Sequence, residues 1–224
     1  MSAKNKIVKG PTWFEVGLGA ALSIILGCAL GAVLLVMKPV QKVKEMPKDA
    51  PASAVYFIEG SRDFSRTSDV AAKRKAFTDG ETVELSEGEI NVLLGAAKPS
   101  SPAAKPGDKA PPTDAKALDT SALNARIHDG KLQLSDTVTL NLFGATGSFI
   151  VQATGGFEKH GSSFEFVPDS FYVGGCPVHR LPVVRDILLK RLLFAQPAPD
   201  DLAAAWRKLS DVSIVGPVLR LRMP

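Results

Sequence analysis

Cysteine is nearly absent from this chain, and so is any means of cross-linking it. Cys28 lies in an apolar run and Cys176 far downstream, so the C-terminal part holds no internal pair for a disulfide and must be stabilised by its core. Histidine is as scarce, with three in 224 residues. The nearest approach to a metal half-site is Cys176-Pro177-Val178-His179. His128 and His160 are remote in sequence, and structural zinc normally takes four ligands, so a turn entering a helix is the preferred reading there. No G-x-S-x-G elbow, G-x-x-x-x-G-K-S/T phosphate loop or H-E-x-x-H helix occurs, and no nucleophile and base are identifiable. Glu165 and Asp169 are read as solvated carboxylates rather than an acid/base pair. The expectation is a domain that is not an enzyme and carries no cofactor.

An excess of one charge is also missing once the flanks are set aside. Only Lys4, Lys6 and Lys9 of the 27 Lys and Arg residues, and only Glu15 of the 23 Asp and Glu residues, precede Lys38, so the remainder is close to neutral. The sequence pI of about 9.1 is therefore no argument for nucleic acid, and no basic stripe interleaved with aromatics appears.

What the chain does have is an uncharged run from Val16 to Met37. At about 1.5 Å per residue it reaches across the roughly 30 Å hydrocarbon layer. No small-x-small cleavage site follows, so residues 16–37 are read as a retained transmembrane helix after a short basic tail, 1–15. Both flanks carry lysines, which leaves orientation to the larger C-terminal part, since long segments translocate with little regard to charge. The reading adopted is a single-pass protein of the cell (inner) membrane, N-terminus cytoplasmic and domain extracytoplasmic, with the opposite orientation as the alternative. Gly19, Ser23, Gly27 and Gly31 recur at every fourth position, a candidate helix-packing face, although small residues are common in membrane helices.

Residues 38–53, with lysines and prolines and no apolar period, read as a stalk, and 54–224 as one domain. Within it, residues 98–117 hold Pro99, Pro102, Pro106, Pro111 and Pro112 and no larger apolar residue, which predicts a disordered insertion. Before it, strands are expected at Ala54-Ile58 and Thr82-Leu85 and helices at Ser68-Phe77 and Glu87-Ala97. Ser86 and Glu89 have capping-box spacing. Asn91 is open to bonding a strand edge, although exposure is the preferred reading.

After the insertion the pattern is a β-meander turning at Asp129-Gly130, Gly144-Gly147 and Lys159-Gly161, with Leu132, Leu134, Val138, Leu140 and Leu142 on one parity and Phe149, Val151 and Ala153 on another. Two strands are expected either side of Pro168-Asp169. A helix over Pro182-Phe194 is apolar at nearly every angle, so it is packed on two sides or else lines a cavity, a subunit contact or the bilayer. A shorter helix capped by Asp200 and a last strand from Val212 to Met223, broken or bulged at Gly216-Pro217, close the chain. The fold class is α+β: a transmembrane helix, then a curved antiparallel sheet packed against one or two amphipathic helices.

The order of anchor, stalk, Leu85-Ser86-Glu87-Gly88-Glu89-Ile90-Asn91, the meander around Asp129-Gly130-Lys131-Leu132, and Phe171-Tyr172-Val173-Gly174-Gly175-Cys176-Pro177 resembles YpmS-like membrane-anchored extracytoplasmic proteins of the tubular lipid-binding superfamily. The proline-rich insertion departs from that pattern. The resemblance implies a sheet wrapped on a helix around an acyl-chain groove, and it brings no catalytic residues. The expected ligand contacts are Val184, Leu188 and Leu192 on the helix with Leu140, Phe149 and Val151 on the sheet. The partners implied are the membrane, a lipid or other apolar ligand, and a second copy or an envelope protein. A structural or scaffolding subunit of an envelope complex, using the transmembrane and Pro182-Phe194 helices as interfaces, is the alternative function.

Overall fold

The computed structural model describes residues 10, 12–38, 40–45, 47, 49, 54–61, 67–96, 118–120, 123–142, 145–194 and 198–224. The predicted insertion at 98–117 lies outside the described residues, as does the basic tail up to residue 9.

The apolar run forms α1, Trp13–Met37, opened by a capping box in which Thr12 Oγ1 accepts from Glu15 N–H while the Glu15 carboxylate accepts from Thr12 N–H. It is long and apolar enough to cross a membrane. Its last turn docks on the domain: Gly175 N–H donates to Leu35 O (3.0 Å), and Val36 packs against the core. Within the segment read as a stalk, Gln41–Lys42 (β1) runs parallel to Tyr56–Phe57 (β2), so the chain pairs with the domain almost at once.

Helix α2, Thr67–Thr78, is followed by strand β3, Val83–Ser86, and helix α3, Glu87–Ala96. The Ser86 capping box forms: Glu89 N–H donates to Ser86 Oγ (3.4 Å) and the Glu89 carboxylate accepts from Ser86 N–H (2.8 Å). The main sheet comprises β4 (Leu118–Thr120), β5 (Asn124–His128), β6 (Lys131–Leu142), β7 (Ala145–His160), β8 (Ser163–Val173) and β9 (Cys176–Pro177). Its order is β4-β6-β7-β8-β9, with β5 sharing the outer edge of β6, and every pairing is antiparallel. The architecture is α+β, with an open sheet. Asp129 and Gly130 both take positive φ, the tight hairpin that the dipeptide predicts.

Strand β8 is continuous where two strands were expected. Its ladder shifts between Thr154 and Gly155, and Asp169 has no opposite residue, so it is the extra residue of a β-bulge. The bulge switches parity: Phe164 and Phe166 pack on the core before it, Phe171 and Val173 after it. Gly155 is required here, because a Cβ would run into the backbone of Val167 and Pro168.

The helix expected over Pro182-Phe194 divides in two. Residues Pro182–Leu188 form α4, and Leu189–Leu193 widen into a π-turn closed by Phe194 N–H to Leu189 O (3.2 Å). The halves use different faces: Leu189, Leu192 and Leu193 are buried, whereas Val183 and Ile187 are exposed. Its apolar character at every angle thus comes from two successive environments. Helix α5, Asp200–Trp206, begins without a side-chain cap from Asp200; Pro199 occupies the cap position.

The last strand is a hairpin. Asp211–Val215 (β10) and Val218–Arg222 (β11) pair antiparallel around Gly216, at φ +59, and Pro217, and β11 also pairs with β3 to make a three-stranded sheet. This second sheet and α2, α3 and α5 share the covering of the main sheet, a task assigned in the sequence to one or two helices. One core joins all of them, from Phe77 and Leu85 through Val138 and Phe171 to Leu209 and Met223.

Candidate functional site

A space of about 780 Å³ lies between the main sheet and its cover. One wall comes from the main sheet: Leu134 on β6, Phe157 on β7, Phe164 and Phe166 on β8. The opposite wall is Phe77 of α2, Ile90, Leu93 and Leu94 of α3, and Val83, Leu85, Leu219 and Leu221 of the small sheet. Leu189 and Phe194 from the π-turn region close one side, and Leu202, Ala203 and Trp206 of α5 another.

The aromatic part of this lining is held in a fixed arrangement. Trp206 Nε1 donates to Phe164 O (2.8 Å), which pins α5 to β8. Phe157 stands 5.8 Å from both Phe166 and Trp206 by ring centroids, and Phe166 stands 6.3 Å from Phe194 in an edge-on contact. Tilted and edge-on pairs of this kind are the favoured aromatic geometry.

Charge is confined to the edge. Lys73, Arg74, Lys190, Arg207 and Glu165 border the space. Lys73 Nζ reaches the Glu89 carboxylate (2.7 Å) and Glu84 O, and Arg74 pairs with Asp201 (3.0 Å). The Arg74 hydrogen bond holds the Asp201 carboxyl below its usual range. A concave, apolar site with a few polar groups at its border matches the chemistry of small-molecule sites, which run to about 300–1,000 Å³.

A second, smaller cleft of about 350 Å³ is polar, bordered by Ser61, Ser86, Glu87, Gly88, Glu89, Ile127 and Pro217. It overlies a hydrogen-bonded clamp. Asn91 Nδ2 donates to Ala125 O (2.7 Å) and Ser61 O (2.8 Å), while Ala125 N–H donates to Asn91 Oδ1 (2.6 Å). Asn124 Oδ1 accepts from Gly60 N–H (2.8 Å), and the Glu87 carboxylate accepts from Ser61 N–H (2.6 Å) and Ile127 N–H (2.8 Å). Asn91 is 2 % exposed, so the strand-edge alternative holds and the exposed reading does not.

None of the six ligand contacts read from the sequence is in the cavity lining. Val151 is fully buried beside Ala153 and Phe171, and Leu192 is buried in the π-turn; both are core. Leu188 and Phe149 are half-buried against that core, and Val184 is exposed. Leu140 pairs with Gly147 in the β6-β7 ladder, and its side chain lies outside the described residues. The sequence signal available was that Phe157, Phe164 and Phe166 stand astride the His160-Gly161 turn and that Leu202 and Trp206 lie one helical turn apart, which marks them as apolar faces but not as a lining.

Of the transmembrane stripe, Gly19, Gly27 and Gly31 have open space where a side chain would stand, and Ser23 Oγ bonds back to Gly19 O (2.8 Å). Asp169 is paired with Lys131 (2.8 Å), apart from the Glu165 position at the cavity edge. His179 Nδ1 meets the backbone of Phe171, its ring stands edge-on to Tyr172, and burial pushes the Cys176 thiol up. Among the described residues, no three His, Cys, Asp or Glu side chains converge as a metal site.

No family model, curated protein or solved structure matches the chain.

Proposed function

We propose that this chain is a single-pass, membrane-anchored binding protein whose domain takes a lipid or other apolar ligand between sheet and cover, with no bond made or broken. The observation that carries this reading is the cavity of about 780 Å³, walled by Phe77, Leu85, Leu94, Phe157, Phe166 and Trp206 and charged only at its edge. The resemblance to YpmS-like proteins points to the same ligand class. In the orientation read from the sequence, N-terminus cytoplasmic in the cell (inner) membrane, the ligand would be met on the extracytoplasmic side.

The alternative is a scaffolding subunit of an envelope complex. It is favoured by the open stripe of Gly19, Gly27 and Gly31, which allows close approach of a second membrane helix.

Native mass spectrometry of the full chain in mild detergent separates the two, with the Ala203→Phe variant as control. Ala203 borders the cavity, and α1 is unchanged in the variant. Added mass of a lipid in the wild type, lost on solvent extraction and absent from Ala203→Phe, supports the binder. Lipid carried equally by both proteins belongs to the anchor and counts against the cavity. A lipid-free dimer or larger assembly favours the scaffold.

A further inference from the structure

The end of the membrane span is fixed against the domain. The run Val16 to Met37 measures about 33 Å as a helix, close to the roughly 30 Å hydrocarbon thickness, so Leu35 to Met37 fall at one boundary of the bilayer. Gly175 N–H donates to Leu35 O (3.0 Å), and Gly174, at φ +57, lies so close to Val36 that a Cβ would collide with its carbonyl. The β8-β9 turn therefore sits at the membrane surface itself. Val36 packed on the core removes the play that a free linker would give.

The chain then runs through Cys176–Pro177 and the 3-10 turn Val178–Arg180 into α4. Leu181 lies six positions after Gly175, which limits the separation to about 20 Å. At that point apolar side chains are left uncovered: Leu181 is 53 % exposed, Val183 74 % and Ile187 53 %, with Val184 beside them. Val183 and Ile187 are four apart and share one stripe of the helix. Arg180 before the stripe, and Lys190 and Arg191 after it, are exposed cations. Single exposed apolar residues are ordinary, but four within seven positions, joined by a short chain to the end of a membrane span and framed by cations, have a specific complement in a lipid interface.

We infer that α4 is an interfacial helix, its Leu181-Val183-Val184-Ile187 face seated in the headgroup boundary of the leaflet at which α1 ends, with Arg180 and Arg191 meeting anionic lipid headgroups. The domain is then held to the bilayer at two points, the docked end of α1 and the outer face of α4, and cannot rotate freely about its anchor. This inference is independent of the cavity and stands whether or not the cavity holds a ligand.

The test uses the full chain with Cys28→Ala and Cys176→Ala and single new cysteines, Val183→Cys or Ile187→Cys, labelled with an environment-sensitive fluorophore. Ser162→Cys, in the exposed β7-β8 turn, is the control. The proteins are reconstituted into phosphatidylcholine-phosphatidylglycerol vesicles carrying a shallow nitroxide lipid in both leaflets. A face seated about 5–10 Å into the boundary gives blue-shifted emission at both positions, quenched about twofold relative to the control. Emission at either position that is as unquenched as the control overturns the inference. Blue-shifted emission without quenching overturns it too, since the face is then covered by protein, such as a second copy.

Discussion

The two interiors of this domain are built from opposite chemistry. In the clamp between α3, β5 and residues 60–61, Asn91, Asn124 and Glu87 meet six backbone N–H and C=O groups, and those side chains have one workable placement because each donor needs its own acceptor. In the cavity, Phe157, Phe166, Leu85 and Leu94 border space that no described residue fills. Apolar walls carry no such directional requirement, and each contact is worth only about 0.1–0.2 kcal/mol. The clamp therefore fixes where the covering layer sits, and the cavity is the room left over once it is fixed.

Breaking the clamp should have the largest effect. Asn91→Leu leaves Ala125 N–H and the carbonyls of Ala125 and Ser61 unpaired, at a cost of about 3–5 kcal/mol. The check is a fall in the denaturant midpoint of the full chain in detergent with an unchanged slope. Next is Gly155→Ala, which forces β7 away from β8 at the bulge and should destabilise by roughly 1–3 kcal/mol by the same assay.

Acid should then loosen the cap of α3 and its tie to Lys73 at the cavity edge. Burial alone would raise the Glu89 carboxyl, but hydrogen bonds from Lys73 and from Ser86 outweigh it, and the group titrates below its usual range. A carboxyl depressed in the folded state contributes fully above the unfolded value of about 4.3, and that contribution is lost as pH falls through the folded value. The stability gap between wild type and Glu89→Gln should accordingly be widest above about pH 4.3 and close on acidification. A gap constant with pH in thermal melts would show that Glu89 acts by packing alone. The smallest effect on stability belongs to the other interior: Ala203→Phe fills open space and should shift the midpoint by less than about 1 kcal/mol while removing any bound lipid.

Features encoded within one turn or one strand were legible in the sequence. The Ser86-Glu89 box, the Asp129-Gly130 turn and the apolar span each depend on residues a few positions apart, so local chemistry decides them. The bulge at Asp169 was not, because the parity switch from Phe166 to Phe171 reads as two strands until β7 is laid beside it. The hairpin at Gly216-Pro217 read as one broken strand, although its arms β10 and β11 pair with each other across a local turn; the pairing of β11 with β3, far upstream, was not legible.

The candidate site fared differently from the fold. Taking Leu140, Phe149 and Val151 with Val184, Leu188 and Leu192 assumed that one helix covers the sheet, whereas α2, α3, α5 and the small sheet divide that cover. Strand parity identifies which side chains face inward, but not which of them meet another wall and which meet empty space. By itself the sequence determined the long apolar helix, the antiparallel meander and the capped α3, since each follows from short-range periodicity and backbone chemistry. Only the tertiary structure decided that Val151 and Leu192 are core, that Phe157, Phe166 and Trp206 border a cavity, and that Val183 and Ile187 lie bare. Burial is a property of what packs across from a residue, and those partners are distant in the chain.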